Sequence, residues 1–446
     1  MSDTSASKTP LKAWLRRIIL AVAIILGLFL VMVLYVVLIP PSGTPQHAKR
    51  PTIEKVPDAE NAWLDYKLAI EEIEQDKALK GLEFSDSSDL TPQQKEVLDR
   101  HSKAIEHLLA GAKKPRFQYN SELPSIKTNF LSPITLRNLS NIVIAQAARL
   151  EKEGKSSEAI ELNLALYHMG SQIAEPYSPI ISLLLSKTCR NIADKPLFKN
   201  INKGSGEAAT YTKIARQIAQ DNANAPSAYD VIDWEWQYSS RTIEDSFFNS
   251  TSSNDSLDNL PTNIKLRVFK SYMEKQNQIL ETLKPSLENW DFAGLNETNK
   301  KINEMLEDSV NHWYKKPFIG DYVSSVLLST TVPNYETTIK RLYFDIANAN
   351  ALETLAVVLA YQKAHGNFPE TLEPAFQELG LKVPIDPITK KAISYRLENA
   401  KPIVWLAGID GKDDGGKTPY SKDTKTAITG SDLIYPLDQF PIHLNQ

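Results

Sequence analysis

The sequence predicts a mainly α protein with an N-terminal transmembrane helix, an irregular antiparallel helical body and a small C-terminal α+β module. Three observations carry that expectation. Ile18 to Ile39 is an unbroken apolar run, apolar residues then recur at three- and four-residue spacing along most of the chain, and beyond Gly366 glycines and short alternating runs replace that period. The divisions expected are residues 1–17 as a cytoplasmic tail, 18–39 as the membrane helix, 40–57 as a linker, 58–333 as the helical body and 334–446 as a long helix plus β-hairpin module.

The 22 residues from Ile18 to Ile39 would reach about 33 Å as a helix, enough to cross a hydrocarbon core of about 30 Å. Only a helix satisfies its own backbone there. Lys8, Lys12, Arg16 and Arg17 oppose the lone Asp3 before the run, whereas Lys49, Arg50 and Lys55 mix with Glu54, Asp58 and Glu60 after it. That bias places the N-terminus in the cytoplasm and the remainder outside it. Trp14 and Tyr35 lie near the two ends, at headgroup level. The run is longer than the apolar region of a cleaved signal, ends in Ile39-Pro40-Pro41 rather than a small-x-small site, and has no lipobox cysteine. The expectation is an uncleaved, single-pass anchor in the inner membrane with a periplasmic C-terminal part.

The remaining chain, about 400 residues, is long enough for two or three domains. The whole chain carries −4 and residues 1–40 carry +3, leaving −7 beyond the anchor, which argues against nucleic acid as a partner. Cys189 is the only cysteine, so no disulfide forms within the chain; it sits in an apolar stretch and reads as a small buried hydrophobe.

Pro40, Pro41, Pro45, Pro51 and Pro57 among polar residues suggest a semi-extended tether. Trp63, Tyr66, Ile70 and Ile73 then follow a helical period with Asp58 as the expected N-cap. Thr91-Pro92-Gln93-Gln94 combines an N-cap, a proline at the first helical position and a capping-box Gln, and the helix is expected to run to Gly111. Ser132-Pro133 opens a helix ending near Gly154, Ser156 starts its return, and the turn between them looks like that of a tetratricopeptide-type hairpin, so the body is read as partly tetratricopeptide-like. Ser178-Pro179 begins another helix, and helical patterns continue over residues 208–219, 229–247, 264–283 and 335–365. The polar run from Asn249 to Ser256 reads as a loop.

After Gly366, Ile393, Tyr395 and Leu397 alternate, Ile403 to Ala407 forms a second β-type run, and Glu398 to Lys401 suits a hairpin between them. The features Tyr361, His365-Gly366-Asn367-Phe368-Pro369-Glu370-Thr371-Leu372, Pro384-Ile385-Asp386-Pro387, Tyr395, Leu406 through Gly416 and Ser431-Asp432-Leu433-Ile434 occur in one order. Residues 351–435 thereby resemble the globular domain of the major pseudopilin of type II secretion systems. The resemblance implies a long helix leading to a proline corner, an Asp-Pro turn, a β-hairpin and a Gly-Asp loop able to bind calcium. The apolar span lacks the Glu that a prepilin carries and stands about 300 residues from the module, which implies a borrowed terminal domain rather than a fibre subunit. The whole chain is similar to membrane-anchored bacterial envelope proteins, a likeness that implies a location and no activity.

The candidate metal ligands are Asp410, Asp413, Asp414 and Asp432, since calcium takes six to eight oxygens from carboxylates, carbonyls and water. Their spacing is not that of an EF-hand, and a solvated loop held by Asp and Gly turns accounts for them equally. Asp230, Asp233, Glu235, Glu244 and Asp245 lie on one expected helix with Trp234 and Trp236, and an acid pair beside indoles suits either a sugar-cleaving site or an ordinary amphipathic surface. The seven histidines show no zinc spacing, and neither a Gly-x-Ser-x-Gly elbow nor a phosphate loop is present. The expectation is a non-catalytic, protein-binding or scaffold component of the cell envelope, partnered by the membrane and other envelope proteins. The alternatives are a membrane-tethered hydrolase with an unrecognised active site and, on the resemblance alone, an accessory of a type II secretion or pilus-like system.

Overall fold

A computed structural model describes residues 9–43, 46–74, 76, 79, 90–125, 128–249, 260–311, 319–331, 335–417 and 432–436. Asp3, Lys8, Pro45, Gly430, Ser431 and the polar loop beyond Asn249 lie outside the described residues, as do the side chains of Lys12 and Trp14.

Helix α1 (Thr9–Leu38) contains the apolar run. Its segment Arg16–Leu38 is 23 residues of mean hydropathy 3.1, long and apolar enough to cross a membrane, and none of its most apolar stretch is buried. Helix α2 (Trp63–Glu74) begins later than an Asp58 cap would place it: residues 58–60 form a turn, and the Asn61 Oδ1 accepts the Trp63 N–H at 3.0 Å. Helix α3 (Pro92–Arg100) opens with the expected reciprocal box, the Gln94 N–H reaching Thr91 Oγ1 at 3.2 Å and the Thr91 N–H reaching Gln94 Oε1 at 2.8 Å. The single helix expected up to Gly111 breaks at His101, whose buried ring meets Asp76 at 2.9 Å, and resumes as α4 (Ser102–Gly111).

Helices α5 (Pro133–Lys152) and α6 (Ser156–Ile173) are joined at Gly154, which has φ +79°. Ser132 caps α5, its Oγ accepting the Thr135 N–H at 3.3 Å. Helix α7 (Ile180–Lys203) follows Ser178-Pro179 and ends at the left-handed Gly204. Next come α8 (Ala208–Ala223), α9 (Ala228–Glu244), α10 (Thr262–Asn289), α11 (Phe292–Asn311) and α12 (Ile319–Thr331), the last two having no counterpart in the expectations above. Helix α13 (Tyr335–His365) ends at Gly366, φ +84°, and the short α14 (Leu372–Glu378) precedes the sheet.

Strands β1 (Ser394–Glu398), β2 (Lys401–Leu406) and β3 (Leu433–Pro436) form an antiparallel sheet in the order β1-β2-β3. Glu398 pairs with Lys401, so the turn is only Asn399-Ala400, both at positive φ (51° and 61°). That is the conformation whose twist matches a right-handed hairpin.

The chain divides into two compact units. The first comprises residues 1–49, 239–279 and 300–333. Here α12 approaches α10 through small residues: a Cβ at Gly320 would stand 3.1 Å from the Arg267 carbonyl, and the buried Ser324 and Ser325 take the Lys275 ammonium at 3.0 and 2.7 Å. The last carbonyls of a helix lack intrahelical partners and favour positive charge. Those at the end of α1 find partners on α10, where Asn263 donates to the Val37 oxygen at 2.8 Å and Arg267 to that of Ile39 at 2.7 Å, with its guanidinium over the Tyr35 ring. Lys270 donates to Ser42, Asn277 to Gln46 at 2.9 Å, and Arg241 to the Lys49 carbonyl at 3.3 Å. The first part of the segment 40–57, read as a semi-extended tether, is therefore held at Ser42, Gln46 and Lys49.

The second unit comprises residues 50–238, 280–299 and 334–446. In it α5, α6 and α7 pack in succession, α2 packs on α4, and α13 packs against α8, α7, β2 and α14. Helix α13 also has the length and composition of a membrane span, but 89% of its most apolar stretch is buried, as in a core helix. Residues 334–446 thus share one core with residues 50–238. Glycine permits close approach at Gly111 and Gly170 among others: a Cβ at Gly111 would stand 2.4 Å from the Tyr66 ring, and one at Gly170 would stand 2.8 Å from Arg190 Cγ.

Candidate functional site

Two extended segments, residues 50–57 and 115–124, wall a cleft in the second unit. Side-chain amides bridge their backbones. The Gln118 Oε1 accepts the Val56 N–H at 2.8 Å while its Nε2 donates to the Glu54 carbonyl at 3.1 Å. Asn61 does the same for Gln118, its Oδ1 accepting the Gln118 N–H at 2.9 Å and its Nδ2 donating to the Gln118 carbonyl at 3.0 Å. Both amides are buried, where unmade hydrogen bonds would be costly. Trp63 supports the wall from α2, edge-on to Tyr119 at 4.7 Å and to Phe117 at 6.1 Å.

The far side of the cleft is the connection from α6 to α7, Glu175-Pro176-Tyr177-Ser178. Tyr177 has φ +62°, a conformation that costs a side-chain-bearing residue about 1–2 kcal/mol, and its ring lies 6.0 Å from Trp234. Glu235 on α9 accepts the Ile180 N–H at 2.7 Å, which caps α7 and fixes the connection. The cleft has a volume of about 340 Å³ and is lined by Ile53, Glu54, Arg116, Glu122, Glu175 and Tyr177 among others.

Glu175 is the chemically distinctive group. Its Oε1 accepts the Tyr119 N–H at 2.8 Å. Burial pushes its carboxyl up to about 8, opposed only by that hydrogen bond. Arg116 on the same wall reaches Glu60 at 3.8 Å, and among the described residues no cation holds Glu175 ionised. A carboxyl in this setting donates and accepts hydrogen bonds while neutral, and becomes an anion when a positive charge enters.

A second polar cluster lies inside the same unit. The Arg190 guanidinium on α7 meets Asp345 on α13 at 2.9 Å and donates to the Tyr167 hydroxyl on α6. Asp194, one turn on, faces Asn348 at 3.5 Å, and Asn348 Oδ1 accepts the Tyr435 hydroxyl of β3 at 2.7 Å. Burial raises Asp194 to about 7 against the pull of Arg190. The cluster is fully buried and ties four elements together, which suits it to fixing their register.

Of the four C-terminal aspartates, Asp410 and Asp413 act as turn acceptors. Asp410 accepts the Lys412 N–H at 3.0 Å, and Asp413 accepts the Gly415 N–H and the Trp405 indole N–H, each at 2.9 Å. Asp432 is buried and accepts the Gly416 N–H at 2.8 Å, its Oδ1 finding no partner among the described residues. Asp413 and Asp414 are close enough to Asp432 to raise it further, though burial is the larger cause. Among the described residues no three His, Cys, Asp or Glu side chains are grouped to hold a metal ion.

The acids of α9 are not brought together either. Asp230 accepts from Ser227 at the helix start, Asp233 takes the Gln237 amide, Glu235 caps α7, Glu244 meets His47 at 2.6 Å and Asp245 takes the Asn249 amide. Cys189 is buried, and burial pushes its thiol up to about 12, so it stays protonated. His365 ends α13 and meets Glu378 at 2.8 Å. Sequence reasoning missed Glu175, Gln118, Arg190 and Asp345. A signal existed for Glu175, a carboxyl between two helices and beside Pro176, and for Asp345, a charge amid the apolar side of α13. No protein-family model, curated protein or solved structure matches the chain.

Proposed function

We propose that this chain is a single-pass, membrane-anchored protein that works by binding, with α1 in the inner membrane of a bacterial envelope and the rest in the periplasm. The observation that carries the reading is the uncovered apolar surface of Arg16–Leu38: among the described residues none buries its most apolar stretch, so lipid is the solvent that would. Arg16 and Arg17 at its N-terminal end support a cytoplasmic tail. A bound envelope protein or ligand fits the concave cleft beside Glu175 better than a reaction does, because the acids of α9 are engaged with separate partners.

The order of α13, the Pro369 corner, the Asp386-Pro387 turn, the hairpin and the Asp-Gly loop supports reading the C-terminal part as a pseudopilin-like module, and with it a place beside a secretion or pilus-like machine. The α5–α6 hairpin turning at Gly154 supports a partly tetratricopeptide-like body. A phosphatase reporter fused after Gln446 tests the topology: activity only outside the cytoplasm, with the full-length product resisting alkaline extraction from membranes, is the expected result. A reporter active only inside would overturn it.

A further inference from the structure

We propose that the cleft formed by residues 52–56, 116–124 and 175–178 receives a primary ammonium group on an apolar stem, with Glu175 as its counter-charge. This rests on reading the cleft as a binding site and goes beyond it by naming the ligand chemistry. The cavity of about 340 Å³ is at the small end of ligand sites, the size for a stem of lysine length. Its lining supplies apolar surface from Ile53, Val56, Phe117 and Tyr177 together with carboxylates from Glu54, Glu122 and Glu175. Against these three acids stands Arg116, turned to Glu60 at 3.8 Å. The Tyr177 phenol also lines the cleft, Glu74 and Glu175 both act on the Tyr119 phenol, Glu60 holds Arg116, and Lys55 lies on the 52–56 segment outside the lining.

Three alternatives fit less well. A metal ion would need several converging ligands, and among the described residues none are so grouped. A guanidinium prefers both oxygens of one carboxylate, and the Tyr119 N–H at 2.8 Å already takes one of the two acceptor sites on Glu175 Oε1 and narrows that approach. An anion would face three acids. A compact ammonium needs one carboxylate as a point charge, and its stem takes the apolar wall.

Binding then displaces a proton. Near neutrality Glu175 is held protonated by burial; the entering ammonium favours its anion, so carboxylic acid plus ammonium gives an ion pair plus one proton released to solvent. The test is calorimetry on the full-length protein in detergent micelles at pH 7, titrated with 1,5-diaminopentane and with the peptide Gly-Gly-Lys-Gly-Gly in two buffers of different ionisation enthalpy. The expected result is binding with release of more than about half a proton per ligand. Glu175→Gln should weaken binding at least about tenfold and abolish the release, while Glu122→Gln should have a smaller effect. A tighter diamine would identify a free polyamine as the source of the ammonium, and a tighter peptide a lysine of a partner protein. No binding of either probe, or binding without proton release that Glu175→Gln leaves unchanged, would overturn the inference. Because release is read on the unaltered protein, a poorly folded variant does not obscure the answer, and the reporter fusion scores the anchor separately.

Discussion

Glu175 should make the protein less stable as pH rises. Its folded-state carboxyl is raised to about 8 from an ordinary 4.5, so between those values the native state retains a proton that the unfolded chain has lost, and stability falls through that window. Glu175→Gln can still accept the Tyr119 N–H and has nothing to ionise. Its melting temperature should match the parent at pH 4 and exceed it at pH 8.5; equal melting at both would show the carboxyl to be solvated. Arg190 behaves oppositely. Removing it as Arg190→Met leaves Asp345 and Asp194 buried beside no guanidinium, which should cost about 3–5 kcal/mol in denaturant unfolding, while Arg190→Met with Asp345→Leu should regain most of that. Neither partner was legible as a pair, since they are far apart in sequence and only folding brings α7 to α13. What the sequence did display was a lone carboxylate, Asp345, among the apolar positions Leu342 and Ile346 of a long helix.

Helix starts were the most legible elements, because a capping box is local chemistry: Thr91 and Gln94 satisfy each other within one turn. Breaks dictated from outside were not. His101 interrupts what reads as one helix because its ring is drawn to Asp76. Helix α11 escaped notice because its buried residues, Phe292, Leu295, Ile302 and Leu306, make a stripe too narrow to stand out from polar neighbours. Strand β3 is four residues long, and its partner β2 lies far back along the chain. The hairpin was foreseen as a four-residue connection, but its pairing closes to two, with Ala400 at φ +61°. Ala400→Gly should therefore raise stability by about 1 kcal/mol, measured by chemical denaturation. Gly111 is the last residue of α4, where a helix stop was expected, but what it supplies is room: a Cβ there would stand 2.4 Å from the Tyr66 ring. Gly111→Ala should cost about 1–3 kcal/mol by overpacking.

At the scale of the molecule, the long apolar run and the helical body were plain from the sequence, whereas the grouping of segments was not. Composition changes after Gly366, and residues 334–446 were read as a module with its long helix; the core that contains α13 also contains α7 and α8. Composition reports what a segment is made of; it does not report what a helix buried all round has on its other side. The same limit hid the hydrogen bonds that hold Ser42, Gln46 and Lys49, which lie in the segment 40–57 read as a tether from its prolines and polar residues. Asn263→Ala with Arg267→Ala should loosen it, and trypsin should then cut after Lys49 several-fold faster under native conditions; an unchanged rate would mean that the remaining bonds suffice.

That docking has a mechanical consequence. Ten slack residues would act as a leash with a reach of about 35 Å, letting whatever hangs from it wander and tumble above the bilayer. Pinned at Val37, Ile39, Ser42, Gln46 and Lys49, the same stretch behaves as a bracket: a pull on the first unit is delivered straight to the exit of α1, with no play in between.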